Sequence, residues 1–154
     1  MNTDPKSLHQ DRTLQADGFL HGVVVACQDD AGRWLMIRRS EYVVAPLKIC
    51  FPGGGIEEDE TQIEAVIREM REELDAIVRP VACVWSHCYE ERAVKLWGWL
   101  AELQPNRLVP NPDEVAEIHW LAADEAIRHP DALPKTQDFL ASLNDYTANQ
   151  KSPF

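Results

Sequence analysis

The stretch FPGGGIEEDETQIEAVIREMREELDA, Phe51 to Ala76, decides how the rest of the chain is read. It opens on Pro52 followed by Gly53, Gly54 and Gly55, a run that reads as a turn, because glycine takes positive φ freely and lets a ligand approach the backbone. Thr61 is a good helix N-cap, and Glu64 three residues later completes a capping box. Helical spacing follows. Ile63, Val66, Ile67, Met70 and Leu74 fall three and four apart, the pattern of one buried stripe. Arg68, Glu69, Glu72 and Glu73 are expected on the opposite face, with the glutamates close enough in spacing for their carboxylates to project together.

Such crowding is unfavourable, by about 0.2–0.5 kcal/mol per like-charged pair. Arg68 offsets part of it, but one guanidinium does not neutralise three carboxylates and Glu60 upstream. A hard divalent cation would, since Mg2+ and Mn2+ are held by clusters of carboxylate oxygens. Taken alone, an acidic run of this kind is ordinarily a solvated helix face.

The spacing of the whole stretch is more specific. It resembles the Nudix box, whose pattern is glycine, five residues, glutamate, seven residues, Arg-Glu, an aliphatic residue, any residue, Glu-Glu, any residue, glycine, aliphatic. Here Gly54 is followed by Glu60, then Arg68-Glu69-Met70, then Glu72-Glu73. Two departures close it: Asp75 stands at the final glycine and Ala76 at the final aliphatic position. That glycine is a left-handed C-cap, a role Asp fills at some cost, so altered loop geometry is expected rather than lost chemistry.

The resemblance implies an α/β fold, the Nudix α/β/α sandwich, with a mixed sheet, the box helix on one side and the C-terminal helices on the other. It implies a divalent-metal-dependent hydrolase that cleaves a pyrophosphate bond in a nucleoside diphosphate linked to another group. By position, Glu69, Glu72 and Glu73 would be metal ligands for Mg2+ (or Mn2+), joined by the Gly53 carbonyl. Arg68 would orient a glutamate through a bidentate ion pair. Glu60, Glu72 and Glu114 are alternative water-activating bases, because members of the family differ on this point. Gly54, Arg38, Arg39 and Trp85 are the expected substrate contacts.

The substrate is less well specified. The stretch LMIRRS has a faint likeness to the marker of coenzyme A-directed members, but lacks that marker's later arginine and glycine. The proline of ADP-sugar members is absent, and Tyr89 comes too early for the tyrosine of dinucleoside polyphosphate members. A (deoxy)nucleoside triphosphate, as in MutT-like members, is the default, with an ADP-linked sugar next. A nucleotide sensor without turnover would be signalled by a missing box carboxylate, and none is missing. An acidic interaction domain of another family would show no metal dependence.

Composition sets the outer bounds. The 154 residues make one domain, with 45% hydrophobic and 27% charged residues, as in an ordinary globular protein. A net charge of −11 argues against a nucleic-acid polymer as partner. It fits an anionic small-molecule nucleotide only when metal ions are counted into the site. No apolar run is long enough for a transmembrane helix, and the polar start MNTDPKSLHQDR lacks the core of a signal peptide, so no membrane partner is expected. Cys27, Cys50, Cys83 and Cys88 show no CxxC spacing and read as buried, reduced thiols of a cytoplasmic protein. The five histidines form no HxxxH pair, so zinc is not indicated.

In chain order, residues 1–16 read as a flexible N-terminal segment, 17–145 as the domain and 146–154 as a tail. Phe19–Gln28 and Trp34–Arg38 read as strands joined by a turn at Asp29–Gly32, with a loop over Ser40–Cys50. Ile77–Cys88 and Val94–Leu103 read as two more strands. Val81, Cys83, Trp85 and His87 are placed on one face of the first, and Lys95, Trp97, Trp99 and Ala101 on one face of the second. Strand tryptophans are core by default, though one of them can stack on a base. Glu114, and after it Glu117, match an acidic loop that in several family members reaches the metal site. Helices are expected over Ala122–Arg128 and Pro134–Leu143. Many relatives dimerise, so a homodimer stays open.

Overall fold

The computed structural model describes residues 15–151, so the N-terminal segment expected to be flexible lies almost wholly outside the described residues. Among the described residues, seven strands and three α-helices follow in the order β1 (Leu20–Ala26), β2 (Trp34–Arg39), β3 (Ile49–Cys50), β4 (Gly53–Gly55), α1 (Gln62–Leu74), β5 (Val78–Tyr89), β6 (Val94–Leu103), β7 (Val115–Leu121), α2 (Ala123–Arg128) and α3 (Thr136–Lys151). A 3-10 turn, Glu90–Arg92, joins β5 to β6.

The strands form two sheets. One is mixed, in the order β4-β1-β6-β5, and the other is antiparallel, in the order β3-β2-β7. Parallel pairing of β1 with β6 is what makes the first sheet mixed. Alternation along the strands separates two cores. Val23 and Val25 of β1, with Leu35 and Ile37 of β2, pack with Val66, Met70 and Leu74 of α1. Ala26, Trp34 and Met36 point the other way, onto Ala126 of α2 and Phe139, Leu140 and Leu143 of α3. Helices therefore cover both faces, as expected of an α/β/α sandwich.

The ends of α1 follow the sequence reading. Thr61 Oγ1 accepts from the Glu64 amide at 3.1 Å and Glu64 Oε1 accepts from the Thr61 amide at 2.9 Å, a complete capping box. Asp75 takes the left-handed conformation (φ 51°, ψ 33°) and its amide donates to the Arg71 carbonyl at 2.9 Å. The face assignment is corrected. Ile63 and Ile67 are 47% and 44% exposed, whereas Glu69 and Glu73 are 1% and 4% exposed and share the buried stripe with Ala65, Val66, Met70 and Leu74.

Four other expectations change. Gly53–Gly55 is not a turn but a strand, paired antiparallel with β1 through Val24–Gly53, Val23–Gly54 and Gly22–Gly55. Register shifts between Cys83 and Trp85 on β5 put two residues opposite one step of β6, so Trp85 leaves the face that Cys83 occupies. Only Cys27 and Cys50 are buried; Cys83 and Cys88 are exposed, and all four are free thiols. Helix α3 starts at Thr136, two residues beyond Pro134, and continues to Lys151, well into the segment read as a tail.

Candidate active site

The site is built where α1 lies against the glycine strand. Residues of two turns of the helix, Glu69 and Glu73, face β4, and β4 has no side chains to keep them away. A Cβ on Gly54 would sit 2.4 Å from the Glu69 carboxylate, and one on Gly53 would sit 2.0 Å from the Val23 carbonyl oxygen. The first would displace the Glu69 carboxylate from the strand, and the second meets backbone that cannot give way, so Gly53 is a steric requirement and Gly54 is what lets Glu69 lie against β4. Gly53 also has φ 156°, and its amide donates to Glu73 Oε1 at 3.1 Å.

Arg68 ties the remaining acids together. Its Nε donates to Glu60 Oε2 at 2.6 Å and Nη2 to Glu60 Oε1 at 2.8 Å, a bidentate pair. Nη1 reaches Glu69 Oε1 at 2.9 Å and Glu72 Oε2 at 3.2 Å, and Nη2 also donates to the Gly55 carbonyl at 2.9 Å. The Glu60 hydrogen bond, followed by the Glu69 charge, holds the guanidinium protonated well above its usual range against the opposing effect of burial. One arginine thus fixes three glutamates and one strand carbonyl.

The third wall is the segment before β7. The amides of Val109 and Asn111 donate to the carbonyls of Leu74 and Glu73, each at 2.8 Å, and the Glu114 carbonyl accepts from the Ser40 amide at 2.9 Å. These bonds bring Glu114 beside Glu73. Burial, then the charges of Glu69 and Glu114, push the Glu73 carboxyl well above its ordinary range; the Gly53 amide and the Arg39 charge act in the opposite sense.

Glu69, Glu73 and Glu114, with Glu72 at the rim, are thus hard oxygen donors carrying more negative charge than Arg68 and Arg39 cancel. That donor chemistry fits a divalent cation of the Mg2+ type. Among the described residues no three His, Cys, Asp or Glu side chains converge in metal-ligand geometry, in keeping with Glu69 and Glu72 both turning their oxygens to Arg68.

The other expected residues lie in different places. Arg39 donates to the Val44 carbonyl at 2.7 Å and borders both the carboxylates and a cavity on the far side of β4. Arg38 is turned away, donating to Glu117 at 2.7 Å, the Leu47 carbonyl at 2.7 Å and Asp131 at 3.0 Å, which also removes Glu117 from the carboxylate cluster. Trp85 lines the cavity, whose volume is about 500 Å3. Trp97 and Trp99 lie on the opposite face, with indole N–H groups donating to His21 Nδ1 at 3.0 Å and Gln62 Oε1 at 2.8 Å. Sequence reasoning missed the partners of Trp85 in the cavity, Phe51, Phe139, Tyr89 and Arg92; the i, i+2, i+4 series Trp85, His87, Tyr89 on a strand was the available signal.

A strand of three glycines closed onto a helix of buried glutamates, inside an α/β/α sandwich, defines a class of oxygen-donor site. The model of the NUDIX domain matches residues 19–143, and the chain belongs to that family. It is similar to the 8-oxo-dGTP diphosphatase of Escherichia coli (strain K12), 40% identical over 83 residues, covering 51% of this chain and 64% of that protein. It is also similar to an RNA pyrophosphohydrolase of Marinomonas sp. (strain MWYL1), 31% identical over 96 residues, covering 62% of this chain and 52% of that protein. The chain spans between about a quarter and just under two thirds of the length of the curated relatives it matches. Among solved structures, a NUDIX hydrolase from Nitrosomonas europaea superimposes with TM-score 0.74 at 17% identity, over 94% of this chain and 80% of that one. A MutT NUDIX hydrolase from Burkholderia pseudomallei gives 0.68 at 26% identity, over 80% and 97%.

Proposed function

We propose that the protein is a Mg2+- or Mn2+-dependent pyrophosphohydrolase acting on nucleotides, with a (deoxy)nucleoside triphosphate or closely related nucleotide as substrate. The observation that carries this reading is the burial of Glu69 and Glu73 against glycines that admit them, with Glu114 beside them. Burying mutually repelling carboxylates costs stability, and a cation together with an anionic substrate removes that cost.

Glu69, Glu72, Glu73 and the Gly53 carbonyl would hold the cation, which when bound neutralises phosphate charge and lowers the pKa of an attacking water. The protein's own groups do the rest. Arg68, anchored by Glu60, holds Glu69 and Glu72 in place. Both Glu60 oxygens accept from Arg68, which favours an anchoring role for Glu60 over that of base. Glu72, partly exposed to water at the rim, takes the proton as the water oxygen bonds to phosphorus, and Glu114 is the alternative. The bond from that phosphorus to the bridging oxygen breaks and the leaving phosphate carries the electron pair away. Arg39, beside Glu73, faces the phosphates.

No helix of the described residues is long and apolar enough to cross a membrane, and the free thiols suit a reducing cytoplasm. The test is a product-mass screen with Mg2+ or Mn2+ across nucleoside triphosphates, oxidised dNTPs, ADP-ribose, dinucleoside polyphosphates, NADH and coenzyme A. Metal-dependent hydrolysis of a triphosphate, abolished by EDTA, is expected. Turnover of ADP-ribose alone would move the substrate to ADP-linked sugars, and binding without turnover would make the protein a sensor.

A further inference from the structure

The cavity beyond β4 is chemically unlike the rest of the molecule. The chain carries 26 acidic against 15 basic residues, yet the described lining of this cavity contains Arg39, Arg92 and Lys135 and no Asp or Glu. Phe51, Phe139, Trp85 and Tyr89 line one wall, and His87, outside the lining, bridges Trp85 and Tyr89. Phe51 meets Phe139 at 4.7 Å between centroids, Phe139 meets Trp85 at 5.4 Å, Trp85 meets His87 at 6.0 Å and His87 meets Tyr89 edge-on at 4.4 Å. The Arg92 guanidinium closes the series 4.3 Å above the Tyr89 ring. Among the described residues Arg92 makes no ion pair, although Glu90 and Glu91 adjoin it in sequence.

The register orients the cavity. Gly53, Val24, Gly98 and Trp85 stand at one level, beside Glu73 and Arg39, while Leu20, Val94 and Tyr89 stand at the other, beside Arg92. Four residues of β1 separate the levels, about 13 Å at the usual strand rise. That is room for a sugar and a base lying along the aromatic wall between two cationic ends. Backbone strain gathers at the same place: Ala45 and Lys135, both lining the cavity, and Ala93, next to Arg92, all have positive φ.

We infer that this cavity selects nucleotides bearing a second phosphate group, on the sugar, beyond the scissile pyrophosphate, and that Arg92 is the residue that reads it. The inference rests on the pyrophosphohydrolase reading, which assigns the scissile phosphates to the Arg39 and Glu73 end. The same chemistry comes from two sources, a free sugar phosphate or the phosphodiester to a following nucleotide.

The test is equilibrium binding without metal, read by tryptophan fluorescence because Trp85 forms the wall. AMP, adenosine 3′,5′-bisphosphate and the 5′-phosphorylated dinucleotide pApA are titrated into the full chain and into Arg92→Gln and Arg92→Lys. The expected result is about 10-fold tighter binding of the bisphosphate than of AMP, the scale of one charge-assisted contact. The difference should collapse in Arg92→Gln and largely return in Arg92→Lys. Preference for the bisphosphate over the dinucleotide identifies the free phosphate, and the reverse identifies the phosphodiester. Equal binding of all three, no binding of any, or a preference that survives Arg92→Gln overturns the inference. Arg92 is exposed, so unfolding does not confuse the outcome. Absence of triphosphate turnover with the binding preference intact would sink the proposed activity and leave this selectivity standing.

Discussion

The two sides of the glycine strand β4 are opposites. On the α1 side, Glu69 and Glu73 are buried beside Glu114, Glu69 held by Arg68 and Glu73 by the Gly53 amide. On the α3 side, aromatic rings and three cationic side chains line a cavity without acids. Between them is a ribbon with no side chain thicker than a hydrogen. The difference shows what the glycines do: they let two unlike environments approach within one backbone thickness.

The largest effect expected on the acidic side is from Glu73→Gln. Activity should fall by at least about 10²-fold in kcat/KM, the scale of losing a group that acts in the transition state. Metal-free stability should move the other way, because Gln still accepts from the Gly53 amide and is free of the penalty that burial beside Glu69 and Glu114 places on an ionisable carboxyl. A gain of about 1 kcal/mol would raise Tm by roughly 2–4 °C in a chain of this size. Wild-type activity, or a clear loss of Tm in EDTA, would show that Glu73 is not the strained member of the cluster.

Gly54→Ala attacks the approach itself. Its methyl would fall 2.4 Å from the Glu69 carboxylate and displace that carboxylate from its place between β4 and Arg68. We expect a loss of about 1–3 kcal/mol in urea unfolding, typical of overpacking, together with loss of turnover. On the other side, Gly98→Ala would press 2.7 Å against the Phe139 ring and disturb the aromatic wall while leaving the glutamates untouched. Unfolding energies unchanged in both variants would mean that the close contacts relax freely and that the glycines separate nothing.

Much of this was legible in the sequence because it is local. The capping box at Thr61 and Glu64, the left-handed Asp75 and the spacing of Arg68 to Glu73 need only a few consecutive residues. The faces of α1 were not legible. Hydrophobic periodicity assumes that Ile63 and Ile67 go inside and glutamates outside, and α1 reverses this for Glu69 and Glu73. What reverses it is contact with a strand that lies 15 to 20 residues earlier in the chain and has no side chains. The cavity escaped for a second reason. Bulges in β5 shift the alternation, so a face projected from Val81 no longer holds at Trp85. Its other half comes from Phe139 and Lys135, which only the return of α3 brings near.

Asp75→Gly separates local cap chemistry from the site. At φ 51° an L-residue carries strain that glycine lacks, and the Asn106 side chain donates to the Asp75 backbone carbonyl, which glycine keeps. Glycine also loosens the unfolded chain, so the net gain in thermal or urea unfolding should be between zero and about 1 kcal/mol. A loss of several times that would assign the Asp75 carboxylate a role that its recorded contacts do not show.

The smallest effect is expected at the Arg38 cluster, whose partners Glu117, Leu47 and Asp131 belong neither to the α1 glutamates nor to the cavity lining. The Asp131 carboxyl is held below its ordinary value chiefly by Arg38, and that of Glu117 by His119 and then Arg38. Depressed folded-state values mean that the unfolded chain binds more protons in acid. These contacts therefore stabilise the protein above the unfolded values of 3.8 and 4.5, and the contribution disappears as pH falls through the lower folded ones. Arg38→Met should remove part of that slope. Urea midpoints of wild type and variant should differ at pH 7 and converge from about pH 5 downward, where the carboxylates protonate in both. The groups are exposed, so added salt should shrink the gap at pH 7 as well. Parallel curves at every pH would mean that Arg38 contributes by packing its alkyl chain and that its charge is incidental.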